Sequence, residues 1–265
     1  MSVVTCAVEN GIAQVRLNRP EKLNSLTLEL LHELAGTAHD LARDKALRAV
    51  VVAGEGRSFS AGLDFASVNA RPANVARAFL PRPWRSGMTN DFQEPVWAWR
   101  RIPAPVIAAV HGHCYGGGFQ IAIGADFRYA TSDSSWSIME GRWGLVPDMG
   151  GVRPLAELIG IDRAKRLVMT AETFTGAEAH GYGLVTELAD DPVAAATEFA
   201  ARLAQQSPDQ LAHAKRLLNG SWFRPARSVL SRERLQQLPL LFAANTRIVR
   251  KAAQAKETPT YRPRR

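Results

Sequence analysis

Cysteine is almost absent from the 265 residues, with Cys6 and Cys114 the two present. Two thiols cannot build a disulfide framework, and so low a content fits a reducing compartment, so a cytoplasmic protein is expected. Long apolar runs are missing as well. No stretch approaches the roughly 20 consecutive apolar residues that a membrane-spanning helix needs, and no membrane partner is expected. The start, MSVVTCAVENG, has no basic segment followed by an apolar one, so no secretory signal is expected there. Acidic residues are the minority charge: 33 Lys and Arg stand against 25 Asp and Glu, a formal charge of +8. That sign favours polyanionic partners, nucleic acid and phosphorylated small molecules alike. The basic residues are scattered without a stripe or a recognisable nucleic-acid module, and part of the excess lies in the tail TYRPRR, read as a solvated end. No nucleic-acid partner is therefore expected.

Several loop signatures are missing too. A P-loop needs Lys followed by Ser or Thr after its last glycine, whereas Phe119 and Gln120 follow Gly118. Neither GHCYGGG nor GEGRSFSAG has the Gly-x-Gly-x-x-Gly spacing of a dinucleotide loop. No Gly-x-Ser-x-Gly elbow occurs, which argues against a serine hydrolase. Cys114 beside His111 and His113 suggests a thiol nucleophile, but a small residue packed near a turn is the favoured reading.

What is present reads as alternating strands and helices, hence an α/β core. Val4 to Val8 and Ile12 to Leu17 flank Asn10-Gly11 and predict a hairpin. From Thr27 to Arg43 the residues Leu31, Leu34, Ala38 and Leu41 recur at helical spacing, with Glu29 placed to favour the helix dipole. LRAVVVAG and PVIAAV are continuous apolar runs, as buried strands of a covered parallel sheet are. FRYAT and SSWSIME are shorter strand candidates. Residues 70–101, rich in Pro, Arg and Trp, read as a partly helical excursion over a pocket, its tryptophans either lining an acyl site or packing under a long loop. Past Asp191 the pattern turns helical, in PVAAATEFAARLAQQ, SPDQLAHAKRLLNG and RERLQQLPLLFAANTRIVRKAAQA. Residues 1–191 are thus expected to form the core, and 192–265 a helical docking or assembly region.

The segment HGHCYGGGFQIAIGAD, His111 to Asp126, places three glycines where a strand passes into a helix. Glycine there costs about 1 kcal/mol each against alanine, so a close approach to the backbone is the expected reason. The first turn of a helix has free N–H groups and the positive end of the dipole, suited to a developing negative charge. GRSFSAGLDF, after the AVVVAG strand, offers a second such turn.

The stretches LNRPEKLNSL, SFSAGLDF, AAVHGHCYGGGFQIAIGADFRYA and MEGRWGLVPDMGG together resemble the crotonase, or enoyl-CoA hydratase/isomerase, superfamily, in order and spacing over nearly the whole chain. The resemblance implies a spiral of repeated β-β-α turns with C-terminal helices, assembling as homotrimers that pair into hexamers. It implies an acyl-CoA thioester as substrate, coenzyme A entering as part of that substrate, with no metal and no separate cofactor. The thioester oxygen is then held by the amides of Leu63 and Gly117. Lys22, Leu23, Ala61, Gly62, Asp64, Gly116 and Gln120 are implied on the substrate or its coenzyme A, with Ala61 meeting the adenine through its backbone. His111, where many members have asparagine, is read as structural.

The reaction turns on carboxylates. Hydratases of the family hold water between two glutamates, and here one position is Glu140 while the other is Gln120, an amide that cannot take a proton. Isomerisation is therefore favoured over hydration. Asp148 in GLVPDMGG resembles an aspartate of dienoyl-CoA isomerases, with a helix N-cap before MGGVRPLAEL as the competing reading. Those enzymes also carry an aspartate where Gln120 stands. Trp136, Met139 and Trp143 are expected to surround Glu140 and raise its pKa by desolvation. The alternatives are an enoyl-CoA hydratase, or a coenzyme A thioester binding protein with weak chemistry.

Overall fold

The computed structural model describes residues 2–69, 76–80 and 88–265. The chain opens with the expected hairpin, strands β1 (Val4–Glu9) and β2 (Ile12–Leu17). Its turn has Asn10 at φ 53 and Gly11 at φ 77, the positive pair that a two-residue turn between right-twisted strands requires. Helix α1 (Leu28–Arg43) follows, capped by Thr27, whose hydroxyl accepts from the Leu30 N–H at 3.1 Å. Then come β3 (Ala49–Gly54), the short α2 (Phe65–Asn69), α3 (Glu94–Arg101), β4 (Val106–Val110), β5 (His113–Tyr115), α4 (Gly117–Gly124), β6 (Phe127–Ala130) and β7 (Ser135–Ser137). The remaining elements are α5 (Val152–Leu158), α6 (Ile161–Thr170), β8 (Phe174–Thr175), α7 (Gly176–Gly181), β9 (Glu187–Leu188), α8 (Pro192–Ala204), α9 (Pro208–Ser221), α10 (Ala226–Leu241) and α11 (Ala244–Ala255).

A six-stranded sheet runs in the order β1-β2-β3-β4-β6-β9, parallel throughout except for the β1-β2 hairpin. Successive side chains of a strand face opposite ways, and the sequence of β3 and β4 uses both faces. Val50, Val52, Val106 and Ala108 join Leu30, Leu31, Leu34 and Ala38 of α1 in the main core. Ala49, Val51, Ala53, Ile107 and Ala109 face the other way, onto Ala196 and Ala200 of α8. Small residues on both sides of that contact let the helix lie close to the strands. A second sheet, β5-β7-β8, carries the segment leading into the glycines.

The structure departs from the expected pattern in three places. The strand read in SSWSIME stops at Ser137, and Met139–Trp143 forms a 3-10 turn closed by Gly144 at φ 69. The last helical run divides: Pro239 lies within the final turn of α10, and the extended backbone of Ala243 starts α11. The basic tail is docked. Arg264 is buried and donates to the carbonyls of Ala42 at 3.2 Å, Asp44 at 2.8 Å and Pro103 at 3.3 Å. A guanidinium satisfies several carbonyls at once through its fork of donors, which a reading based on charge alone does not register. Among the described residues no helix is long and apolar enough to cross a membrane.

Candidate active site

Three stretches far apart in sequence are laid side by side by short parallel pairings. Ser60 pairs with Cys114, and Leu26 with Leu63. The Ser60 N–H donates to His113 O at 2.8 Å and the Tyr115 N–H to Ser60 O at 3.0 Å, so the turn after β3 is fastened to β5. Leu26 donates to Gly62 O at 2.8 Å and accepts from the Asp64 N–H at 2.9 Å. Both bonds belong to the residues flanking Leu63, so the Leu63 N–H points away from that pairing. Among the described residues it has no internal acceptor, and neither has the Gly117 N–H in the first turn of α4. Leu63 and Gly117 both line one cavity of about 300 Å³.

The glycine triplet serves more than one need. Gly116 sits at φ 49 and ψ −118, a conformation that side chains rarely adopt, and its N–H donates to Ser137 O at 3.0 Å. A Cβ at Gly117 would lie 2.6 Å from Met149 Sδ, and one at Gly118 2.6 Å from Ser60 Cβ. Two of the three therefore answer to packing inside the protein, as well as leaving the backbone approachable.

The cavity is also lined by Ala61, Gly62, Gly116, Glu140 and Asp148, with an apolar wall from Phe65, Phe79, Phe92, Met139, Trp143, Leu145 and Met149. Phe65 and Trp143 touch with ring centres 4.9 Å apart, and Phe79 and Phe92 with centres 4.8 Å apart. Of the sequence-derived residues, the structure thus brings Ala61, Gly62, Leu63, Gly116, Gly117, Glu140 and Asp148 to one wall or another of a single cavity. Lys22, Leu23, Asp64 and Gln120 are not among its lining residues. Leu23 is linked to it through its carbonyl, which accepts from the Ala61 N–H at 2.9 Å. Asp64 pairs with Arg19 at 3.2 Å. Burial opposes ionisation there, but the Ser67 N–H and Arg19 hold its carboxyl below the ordinary value. Asp64 thereby ties the Pro20–Lys22 turn to the start of α2.

Glu140 belongs to the 3-10 turn after β7, and Gln120 to the fully buried α4. The Gln120 Nε2 donates to Glu140 Oε1 at 2.6 Å, while Gln120 Oε1 accepts from the N–H groups of Met149 and Gly151, each at 3.0 Å. Glu140 Oε2 is buried and has no hydrogen-bond partner among the described residues. Burial pushes the Glu140 pKa up and the charge of Asp148 adds to the rise, while the Gln120 amide opposes it. Burial raises Asp148 as well. Asp148 does not cap a helix: the N-cap of α5 is Gly151, with no side-chain cap bond. The capping alternative fails because the Asp148–Gly150 turn intervenes before that helix begins.

Other expectations find their places. Met139 and Trp143 line the cavity with Glu140, but Trp136 is buried against Phe119, its Nε1 donating to Ser134 at 2.9 Å. In the 70–101 excursion, Phe79 and Phe92 line the cavity, Trp99 is in the core, and Trp84 lies outside the described residues. His111 bonds the Gly56 carbonyl at 2.8 Å. Cys114 is buried in the core, and burial holds its thiol far above the usual range, so it is no thiolate nucleophile. The aromatic wall was not legible as such, because Phe65, Phe79 and Phe92 come from segments with no shared sequence period.

A mixed sheet with C-terminal helices, carrying two carboxyl groups and two strand-to-helix turns on one cavity, is a crotonase-type fold. Residues 7–238 match the enoyl-CoA hydratase/isomerase family, and the chain belongs to it. The chain is 31% identical over 224 residues to the 1,2-epoxyphenylacetyl-CoA isomerase of Escherichia coli (strain K12), covering 83% of each. It is 33% identical over 214 residues to the mitochondrial Delta(3,5)-Delta(2,4)-dienoyl-CoA isomerase of Homo sapiens, covering 78% of this chain and 65% of that protein's length. Its fold superposes on the crystal structure of an enoyl-CoA hydratase from Bacillus anthracis with a TM-score of 0.89 at 26% identity, covering 98% of both chains.

Proposed function

We propose that the protein is an acyl-CoA isomerase that moves a double bond, with Glu140 and Asp148 carrying the proton and the amides of Leu63 and Gly117 holding the thioester oxygen. The carrying observation is the cavity itself: two carboxyl groups on its walls, one of them bonded to the Gln120 amide, with burial raising the proton affinity of both. One carboxylate removes a proton from a carbon conjugated with the thioester. The electron pair of the broken C–H bond passes into the conjugated system and onto the thioester oxygen, facing the two N–H groups. The other carboxyl, or the same one, returns a proton to a different carbon, and the oxygen gives its charge back. No water is consumed. Each oxyanion donor is worth about 3 kcal/mol of barrier, and carboxyl groups of raised pKa suit proton transfer near neutrality. The isomerases to which the chain is 31% and 33% identical support this reading.

The substrate is read as a coenzyme A thioester, with no separate cofactor. Calorimetric titration with a non-reactive acyl-CoA is expected to show binding that weakens as salt rises, since coenzyme A carries phosphates and the chain is cationic. Equal binding of the free acid would count against recognition of coenzyme A.

Gln120→Glu is expected to increase hydration of a short 2-enoyl-CoA, because it returns a carboxyl group to the position beside Glu140. Wild type hydrating crotonyl-CoA as fast as the variant would contradict the demotion of hydration. The exposed Leu230, Leu235, Leu238 and Leu241 of α10, with Phe242 after it, support self-association, which the family resemblance reads as a homotrimer or homohexamer. The unpaired Cys6 and Cys114 suit a reducing cytoplasm.

A further inference from the structure

Gln120 is a buried polar side chain that holds three bonds at once. Two of them decide its orientation. The N–H groups of Met149 and Gly151 both point at one terminal atom, so that atom must be the oxygen. The NH₂ end is then forced toward Glu140, where it meets Oε1 at 2.6 Å. A carboxamide fixed this way cannot turn over to present an acceptor, since two backbone donors would be left facing donors.

The three bonds also connect two parts of the cavity wall. Met149 follows Asp148 directly, so the oxygen of Gln120 holds the turn that carries Asp148, while its nitrogen holds the carboxyl group of Glu140. Glu140 Oε1 is occupied by the amide, whereas Oε2 is buried without a partner and belongs to a side chain on the cavity wall. Among the described residues lining that cavity, Asp148 is the other titratable group facing Glu140.

We propose that Gln120 is a positioning residue for both carboxyl groups: its clamped amide engages Glu140 Oε1, leaves Oε2 as the oxygen that takes and returns the proton, and holds the Asp148 turn in register with it. This inference rests on the isomerase reading for its catalytic meaning, though the clamp itself is testable in the resting protein. An amide suits the task because it donates a hydrogen bond that favours the carboxylate and adds no charge and no titration of its own. A glutamate at the same place would accept the same two N–H groups with one oxygen. It would set its other oxygen against Glu140, and two carboxyl groups so close share a proton.

Two variants separate positioning from plain packing. Gln120→Glu keeps the acceptor for Met149 and Gly151 and loses the donor to Glu140. It is expected to leave the melting temperature near that of wild type at low pH, where the pair keeps its protons, to lower it at pH 7, to move the acid limb of the isomerase kcat/KM profile up by about a pH unit or more, and to cut turnover at pH 7 by roughly tenfold. Gln120→Met loses donor and acceptor alike. It is expected to lower the melting temperature and also to move the acid limb upward. A merely structural glutamine would give a melting-temperature change in Gln120→Met with its acid limb unmoved, and that result overturns the proposal. Infrared difference spectra of the substrate-free protein, with Glu140→Gln used to assign the band, report the Glu140 titration without any turnover. A midpoint raised by Gln120→Met, which brings no second charge to Glu140, supports the clamp even where wild type shows no isomerase activity, in which case the isomerase reading alone falls. An unmoved midpoint overturns the clamp whatever the turnover.

Discussion

Glu140→Gln is expected to lower isomerase turnover by roughly 100- to 10,000-fold, the contribution of a general acid or base, or about 3 to 5 kcal/mol of barrier. The substitution keeps the side chain's length and the contact with Gln120 while replacing the oxygen proposed to carry the proton. Acyl-CoA binding is expected to change little, because the free amides of Leu63 and Gly117 belong to the backbone and are untouched. The loss should therefore fall on kcat rather than on KM. Normal turnover in Glu140→Gln, measured with the substrate that wild type isomerises, would remove Glu140 from the mechanism.

Asp148→Asn is expected to cost a similar factor if the proton leaves one end of a conjugated system and returns at the other, since one group must remove and another deliver. Asparagine is as good a helix cap as aspartate, but Asp148 caps no helix, as the N-cap of α5 is Gly151. The loss of activity therefore cannot be assigned to a lost cap. Stability gives a second readout with a definite sign. Burial raises the Asp148 pKa in the folded protein above its unfolded value, so the folded state holds the proton more tightly. Over the window from the unfolded value up to the folded one, stability falls as pH rises, and the penalty is complete above it. Asp148→Asn removes that penalty, so its melting temperature should match or exceed that of wild type at pH 7, with the gain vanishing toward low pH. A variant that is both fully active and less stable at pH 7 would show Asp148 to be a structural residue, and a single-base mechanism through Glu140 would remain.

The parts of the molecule legible in the sequence are those governed by local rules. Asn10-Gly11 specifies its hairpin turn because both residues tolerate positive φ, and AVVVAG and PVIAAV specify buried strands because both faces are covered. The residues now found around the cavity were named from motif resemblance, and the structure brings seven of them together through pairings such as Leu26 with Leu63 and Ser60 with Cys114. Those pairings are single bridges between segments distant in sequence, so no periodicity records them. The Gln120 clamp was illegible for a similar reason. Its partners Met149 and Gly151 offer backbone N–H groups, which every residue but proline carries, so sequence gives no sign of which are used. The docked tail escaped for another. Arg264 reads as surface charge, and only the meeting of three carbonyls from Ala42, Asp44 and Pro103 explains its burial.

Whether the cavity moves a proton between carbons without adding water is read from the mass of the product. Wild-type protein is incubated with a panel of 2-enoyl-CoA, 3-enoyl-CoA and 3,5-dienoyl-CoA thioesters, and the products are read by mass spectrometry together with the ultraviolet absorbance of the conjugated thioester. The expected result is a product of unchanged mass whose double bonds have moved, formed at a rate that Glu140→Gln abolishes. Products heavier by one water from the 2-enoyl thioesters, or every thioester recovered unchanged, would contradict it.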